Sequence, residues 1–323
     1  MILIGDLGGT KTHFAVYDPY NRVFEKKYKN EEFNNFVDLL TDFLKLCPHK
    51  VECLSLGIAG PIKDEKCNMS NLDWIISKKD IIKSSPIKNV ILLNDLEAFG
   101  YGLQALKEED LFSISASKPI KDGHKGLLVP GTGLGVAQIL WDGKNYKSIP
   151  TEAGHCDFAP KNQKEIKLLE FLYKKEERAF YDQILSGRGI YHLYQFICED
   201  EKISLDSNLK GEIEKKGPSR FIIEKAIKEN DQTALKTLSL FINILGHKAG
   251  DLALHLLPIG GVYLGGGIIK ELVPLFKNDF FYNNFISKGK IKPFLSEIPV
   301  SIILKEDILL DGSALFTRSF LKI

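Results

Sequence analysis

The N-terminal third of the chain alternates between short apolar runs and one amphipathic stretch. Five of the apolar runs are predicted to be strands: residues 2–6, 11–17, 22–28, 53–57 and 89–93. Apolar side chains recur at helical spacing between Phe36 and Leu44, and Cys47-Pro48 is expected to end that helix. This order of elements predicts an α/β domain.

Beyond residue 126 the pattern changes from strands to long helical stretches. Residues 126–143 read as strands joined by glycine turns at 131–133 and 142–143. Four helices are then predicted, at residues 163–175, 188–198, 220–229 and 232–257. The last predicted elements are a strand at 262–264, a helix after the glycines at 265–267, a strand at 299–304 and a helix at 311–321. Two segments, residues 2–17 and residues 126–143, therefore share one plan, in which a glycine turn joins two strands. This repetition suggests two domains facing each other across a cleft.

The composition indicates a globular protein with a sizeable core. Of the 323 residues, 44% are hydrophobic and 26% are charged, and a chain of this length is expected to form two domains. A net charge of +1 without a basic stripe argues against nucleic acid as a partner. Five cysteines without a CxxC pair argue against a disulfide framework and against a zinc site.

We expect neither a signal peptide nor a membrane span. The first residues lack a basic region followed by an apolar one. The longest apolar stretch, residues 234–257, is interrupted by lysine, asparagine, histidine and aspartate, which predicts a buried helix. A cytoplasmic location without a membrane partner is the expectation.

Two glycine turns have the composition of a phosphate-binding loop: residues 8–10 (Gly-Gly-Thr) and 131–133 (Gly-Thr-Gly). Several backbone N–H groups can point at one phosphate only where side chains do not block them, which selects glycine, and each threonine hydroxyl is a further donor. An ordinary hairpin is the alternative for either turn taken singly. Neither turn matches the P-loop or the dinucleotide fingerprint, because no Gly-Lys-Ser/Thr follows and residues 131–135 lead into a strand.

Three acidic or amide side chains near strand ends are candidates for metal binding or catalysis. Asp6 precedes the first turn, and a carboxylate beside a phosphate requires a cation such as Mg²⁺; capping of the turn is the alternative. Asn94-Asp95 ends an apolar strand and opens a predicted helix. Helix capping explains one of the two, whereas an aspartate is the base expected in kinase-type transfer.

A loop with a glutamate and a histidine is the third candidate. Glu152 and His155 stand between Pro150 and Pro160, so a regular helix is not expected there. Such a loop offers donors and acceptors for sugar hydroxyls, and a plain surface loop is the alternative. A metal site is weakly supported, because no further histidine or cysteine stands at ligand spacing.

Taken together, six segments resemble the bacterial glucokinases of the hexokinase branch of the actin-like ATPase fold. They are GDLGGTKT at 5–12, LLNDLEA at 92–98, PGTGLGVA at 130–137, EAGHCDFAP at 152–160, LSG at 185–187 and LGGGI at 264–268. The resemblance spans nearly the whole chain. It implies a two-domain α/β fold (ribonuclease H-like) with a cleft between a smaller N-terminal domain, residues 1–96 plus 308–323, and a larger helix-rich α/β domain, residues 97–307.

The resemblance also implies roles for matching positions. ATP would contact three segments, namely Gly5, Asp6, Leu7, Gly8, Gly9 and Thr10; Gly131, Thr132 and Gly133; and Gly265, Gly266 and Gly267, the last by the adenosine. Asp95 would be the general base on the 6-hydroxyl of the sugar, and Asp6 would hold Mg²⁺ through water. The sugar-binding residues would be Asn94, Asp95, Glu152, His155 and Asp182.

Two positions depart from the family pattern and bear on the sugar preference. Asp182 stands where the family has a glutamate, so the carboxylate reach is one methylene shorter. Ala153 replaces a usual glycine, which matters only if that backbone needs a positive φ. The expected reaction is ATP-dependent phosphorylation of glucose. The alternatives are a kinase of another hexose or amino sugar, and a sugar-binding regulator without catalysis; a homodimer is common in the family.

Overall fold

The computed structural model describes residues 1–18, 20–69, 72–204 and 207–322. The chain divides into two compact units. Unit 1 comprises Met1–Lys107, Asn145–Pro150 and Lys305–Ile323, and unit 2 comprises Glu108–Lys144 and Thr151–Leu304. The domain boundaries expected from the sequence, after residues 96 and 307, stay a prediction. None of the helices in the described ranges has the length and apolar character that a membrane crossing requires.

The helices and strands that the sequence predicts are confirmed within a few residues. In chain order the strands are β1 (Ile2–Leu7), β2 (Lys11–Asp18), β3 (Asn21–Lys29), β4 (Cys53–Ile58), β5 (Ile62–Lys63), β6 (Lys66–Asn68), β7 (Ile75–Ser77), β8 (Asn89–Asn94), β9 (Leu111–Ser113), β10 (Lys125–Pro130), β11 (Leu134–Trp141), β12 (Tyr146–Thr151), β13 (Val262–Leu264) and β14 (Val300–Ile303). The helices are α1 (Phe36–Leu46), α2 (Lys78–Ser84), α3 (Asp95–Gly102), α4 (Gln163–Tyr173), α5 (Gly187–Asp200), α6 (Ser207–Lys216), α7 (Pro218–Glu229), α8 (Gln232–Leu256), α9 (Gly267–Leu272), α10 (Phe280–Ile286), α11 (Lys292–Ser296) and α12 (Ile308–Leu321). The sequence analysis missed β5–β7, β9, α2, α6, α10 and α11, most of which are too short to show a hydrophobic period. It predicted the turn at 142–143 but gave no bounds for β12, the strand that follows it.

Unit 1 contains a five-stranded sheet with helices on both faces and a small three-stranded sheet, β5-β6-β7. The strand order of the five-stranded sheet is β3-β2-β1-β4-β8, with β1, β4 and β8 parallel and the β1–β2–β3 pairs antiparallel. Because side chains alternate along a strand, Leu3 and Leu7 of β1 pack toward α1, whereas Ile2 and Ile4 pack toward Leu310 of α12. Asp6 follows the second set and therefore lies on the α12 side.

Helices α3 and α12 of unit 1 pack closely. Gly312 of α12 lies against the backbone of α3, where a Cβ would overlap the carbonyl oxygen of Ala98 and approach the amide nitrogen of Gly102 to 2.5 Å. Only glycine allows this approach, which brings the loop before α12 near the end of β1.

Unit 2 combines a mixed sheet with a large helical core. Strands β11, β10, β13, β14 and β9 are neighbours in that order, with β10, β13 and β14 parallel. All but the last residue of the stretch 234–257 lies in the long helix α8, most of whose apolar side chains are buried, as predicted. Gly246 and Gly250 of α8 let the backbone of α10 approach, because a Cβ at either position would lie 2.5 Å from a carbonyl oxygen of α10.

Candidate active site

In unit 1, the topology brings Asp6 and Asn94-Asp95 to the same edge of the sheet. Strands β1, β4 and β8 are parallel, so their carboxyl ends lie together. Asp6 pairs in register with Gly57 of β4, and Asn94 pairs with Ile58. Two acids that lie far apart in the sequence therefore share one end of the sheet.

The electrostatics of Asp6 indicate excess negative charge at this edge. Burial, followed by the charges of Asp95 and Asp307, raises the pKa of Asp6 from 3.8 to about 7, although Lys27 acts in the opposite direction. Asp307 precedes α12, and Arg22 Nη1 lies 2.9 Å from its Oδ2. The sequence analysis did not identify Asp307, because only the packing of α12 against the sheet brings it near Asp6.

The first glycine turn is supported by a residue that sequence analysis missed. Gly8 N–H donates to the carbonyl of Lys11 at 3.0 Å, which closes the turn. Asn30, fully buried, donates from Nδ2 to Gly8 O at 2.8 Å and from its backbone N–H to Thr10 O at 2.9 Å. Its Oδ1 accepts from the Thr12 hydroxyl at 2.7 Å. An asparagine two residues after the predicted strand 22–28 was the only sequence signal for this role, because its burial appears only in the structure.

Gly5 and Leu7, which also belong to the predicted nucleotide-binding segment 5–10, have structural roles in β1. Gly5 lies inside β1, and a Cβ there would come within 2.7 Å of the side chains of Leu56 and Phe14, so close packing explains its glycine. The side chain of Leu7 is buried in the core, and its carbonyl accepts from Ala59 N–H at 3.1 Å. Their assignment to nucleotide binding stays a prediction, and for Leu7 it can concern only the backbone.

Asn94 is the N-cap of α3, so the capping alternative holds for this member of the pair. Its Oδ1 accepts from the N–H groups of Leu96 and Glu97 at 3.0 and 3.3 Å, and its Nδ2 donates to Gly60 O at 3.2 Å. Asp95 is the first residue of α3, and its Oδ1 accepts from Leu96 N–H at 2.8 Å. Capping thus fixes the position of Asp95 at the edge it shares with Asp6, while the sugar-binding role of Asn94 stays a prediction.

In unit 2, the second glycine turn lies at the carboxyl ends of parallel strands β10 and β13. Gly131 N–H donates to Gly133 O at 2.8 Å, which leaves the amides of Thr132 and Gly133 and the Thr132 hydroxyl as candidate donors. No described atom lies within 4 Å of a Cβ built on Gly131, so packing does not explain that glycine. Gly265 N–H donates to Leu128 O of β10 at 2.9 Å.

The glycines after β13 lie beside this turn. Gly266 has φ +94°, and a Cβ there would lie 2.8 Å from Pro130 O, so both conformation and space require glycine. Gly267 begins α9. The structure therefore brings the predicted segments 131–133 and 265–267 together.

The loop with Glu152 and His155 packs against the same turn. Residues 153–155 form one 3₁₀ turn, and a Cβ on Gly154 would overlap the Leu134 carbonyl. The His155 ring stacks on Phe180 with centroids 5.2 Å apart, and its Nδ1 lies 3.6 Å from Glu152 Oε2. Both side chains are exposed. Ala153 is not among the residues with positive φ, so this departure from the family pattern fits the backbone.

Asp182 is the last predicted sugar ligand, and it contacts the turn directly. Its Oδ1 accepts a hydrogen bond from Leu134 N–H at 2.6 Å, and Arg188 Nη2 lies 3.6 Å from its Oδ2. Ser186, the N-cap of α5, donates from its hydroxyl to the Asp182 carbonyl at 2.6 Å. The sequence predicted a carboxylate at this site but not its bond to the turn.

A pocket of about 430 Å³ lies between α7 and α9 of unit 2. Its apolar side chains are Ile223, Ile227 and Ile268, and its polar ones are Ser219, Arg220, Glu224, Lys228 and Glu271. Ile268 comes directly after Gly267, and Ser219 Oγ lies near Gly187, whose N–H donates to Gly131 O at 2.8 Å. The pocket therefore adjoins both glycine segments of this unit.

Comparison with known structures identifies the class. The crystal structure of a glucokinase from an Antarctic psychrotroph superposes with a TM-score of 0.85 at 26% identity, covering 98% of both chains. A glucokinase from Balamuthia mandrillaris, solved with glucose, shares the fold with a TM-score of 0.80 at 22% identity, covering 98% of this chain and 92% of that one. The molecule thus has the actin-like ATPase fold of the sugar kinases.

Sequence comparison narrows this class to one family. The glucokinase of Trichormus variabilis is 35% identical over 336 residues, covering 98% of both chains. The glucokinase of Synechocystis sp. is 32% identical over 341 residues, covering 97% of this chain and 96% of that one. The family model described as Glucokinase matches residues 3–320. The chain belongs to the glucokinase family.

Proposed function

We propose that this protein transfers the γ-phosphoryl group of ATP to the 6-hydroxyl of glucose, giving glucose 6-phosphate and ADP. Membership in the glucokinase family supports the reaction class, an ATP-dependent hexokinase-type transfer. The observation that carries the assignment of residues is the shared position of Asp6 and Asp95 beside the first glycine turn. Such a transfer requires the general base to lie close to the groups that bind the transferring phosphoryl group and neutralise its charge.

In this proposal Asp95 is the general base. It accepts the proton of the sugar 6-hydroxyl as that oxygen attacks the γ-phosphorus. The cap formed by Asn94 holds Asp95 at the first turn of α3, so its carboxylate is oriented before the substrate arrives. Glu152, His155 and Asn94 are the proposed partners of the other hydroxyls.

The phosphates of ATP are proposed to contact the two glycine turns. The open space beside Gly131 and the amides of Thr132 and Gly133 suit an anion, as do the amides of Gly9 and Thr10 in the turn that Asn30 supports. We assign the adenosine to the pocket of about 430 Å³ next to Gly267, whose volume and apolar isoleucines suit a flat aromatic base.

The residues around Asp6 fit a magnesium ion. Its carboxylate is a hard oxygen donor. Burial raises its pKa most, and a cation would relieve the repulsion from Asp95 and Asp307 that raises this pKa further. When bound, Mg²⁺ would neutralise charge on the transferring phosphoryl group. We include magnesium dependence, a cytoplasmic location and a homodimer in the proposal, on the strength of the family resemblance; light scattering of the purified protein tests the dimer.

Sugar-dependent release of ADP from the purified protein tests the proposed function. We expect glucose to be the best acceptor in a panel of hexoses and amino sugars. A better acceptor in that panel would assign a different sugar kinase, and glucose binding without ADP release would assign a sugar-binding regulator.

The role of Asp95 is tested by substitution. Asp95→Asn should lower kcat by at least about 10²-fold, the order that general-base catalysis contributes, while glucose still binds in calorimetry. Asp80→Asn is the matched control, because Asp80 also lies in the first turn of a helix in unit 1. Near-normal turnover of Asp95→Asn would remove it from the base role.

A further inference from the structure

Asp182 occupies the position of a predicted sugar ligand, but in the structure its Oδ1 contacts the protein backbone and its Oδ2 lies 3.6 Å from Arg188 Nη2. Its Oδ1 lies 2.6 Å from Leu134 N, within the range of a strong, charge-assisted hydrogen bond. The Asp182 side chain is only 13% exposed, whereas Glu152 of the predicted sugar loop is 89% exposed. One of the two carboxylate oxygens is therefore already committed to the first residue of β11.

The neighbouring residues are arranged around this bond. Gly133 leaves the space that the carboxylate fills, because a Cβ there would lie 2.5 Å from Asp182 Oδ1. The Ser186 hydroxyl holds the Asp182 carbonyl, and Gly187 N–H donates to Gly131 O at 2.8 Å. The segment 182–187 thus contacts both ends of the turn, through Leu134 on one side and Gly131 on the other.

We propose that Asp182 is a positioning residue that holds the 131–134 turn for the phosphates of ATP, rather than chiefly a ligand of the sugar. This inference rests on the proposed function, in which that turn contacts ATP. The aspartate side chain is one methylene shorter than that of glutamate, so it stays against the turn. There one of its carboxylate oxygens accepts a hydrogen bond from the Leu134 N–H. Loss of the bond would let the amides of Thr132 and Gly133 move away from the phosphates, and ATP affinity would fall.

Asp182→Ala distinguishes the two roles, because the positioning role predicts a rise in KM for ATP and the sugar-binding role predicts a rise in KM for glucose. We expect KM for ATP to rise about tenfold, equivalent to about 1.4 kcal/mol, while KM for glucose changes less than twofold. Asp182→Asn should behave nearly as the unsubstituted protein, because its amide oxygen accepts the same bond. Asp200→Ala is the matched control: it removes a partly buried carboxylate of α5 that pairs with Lys167, far along the helix from the turn.

A second variant keeps the test decisive if Asp182→Ala folds poorly. Gly133→Ala leaves Asp182 in the chain but forces its carboxylate from the turn, so it should show the same rise in KM for ATP. A rise in KM for glucose alone, equal rises in both constants, or no change in either would overturn the proposal.

Failure of the proposed function gives a different result. A protein that releases no ADP with any sugar would refute the kinase assignment itself. Calorimetric binding of ADP then still tests Asp182: about tenfold weaker binding by Asp182→Ala, restored in Asp182→Asn, supports the positioning role, and unchanged binding refutes it.

Discussion

Replacement of Asp6 by asparagine should separate stability from activity in this protein. The carboxylate lies at the partly buried end of β1, where burial and the charges of Asp95 and Asp307 raise its pKa to about 7. The unfolded side chain ionises near pH 3.8. Between these values the folded state holds a proton that the unfolded state has released, so stability falls as pH rises from about 4 to about 7.

The magnitude follows from the difference in pKa. At about 1.4 kcal/mol for each pKa unit, the shift corresponds to an upper limit of about 4 kcal/mol lost by pH 8. Asp6 retains some solvent exposure, so we expect about 1–3 kcal/mol. An asparagine side chain carries no charge to desolvate, so Asp6→Asn should be more stable than the original protein by this amount at pH 8 relative to pH 4.5.

Urea denaturation of the protein without nucleotide, at pH 4.5 and pH 8, measures this difference. The matched control Asp18→Asn removes an exposed carboxylate at the end of β2 and should leave the pH dependence unchanged. In the same Asp6→Asn variant, magnesium-dependent turnover should fall by at least about 10²-fold, since a buried charge kept at a cost in stability is expected where function needs it. Parallel pH profiles of Asp6→Asn and the original protein would refute the electrostatic reasoning.

Two further substitutions test the supports of the site and the fold. Asn30→Ala leaves Gly8 O and the Thr12 hydroxyl without their partner, so the free energy of unfolding should fall by about 1–3 kcal/mol and KM for ATP should rise. Asn30→Asp keeps the acceptor for Thr12 and should recover part of the loss. An unchanged KM for ATP in Asn30→Ala would show that the turn does not need this support. Gly312→Ala should destabilise the protein by about 1–3 kcal/mol in urea denaturation, because its Cβ overlaps the backbone of α3. Gly211→Ala, at an exposed position of α6 with no described atom within 4 Å of the added Cβ, should be neutral or slightly stabilising.

Local patterns determined most of the secondary structure. Strand β4 is buried along its whole length, and strand β8 is an apolar run between two asparagines. The long helix α8 is rich in apolar residues over its whole length. The segments β5–β7 were missed because strands of two or three residues have no measurable period. Capping could be offered as an alternative for one member of the pair Asn94-Asp95 because its place between a strand and a helix is local in sequence.

The sequence by itself determined which residue types stand at the turns and strand ends, and the resemblance followed from their order. Only the tertiary structure decided which of these meet. Parallel pairing of β1, β4 and β8 joins Asp6 to Asp95, the packing of α12 adds Asp307, and Asn30 and Asp182 reach the two glycine turns from 22 and 48 positions along the chain. Hydrogen bonds and electric fields act through distance in space, which the order of residues along the chain does not record.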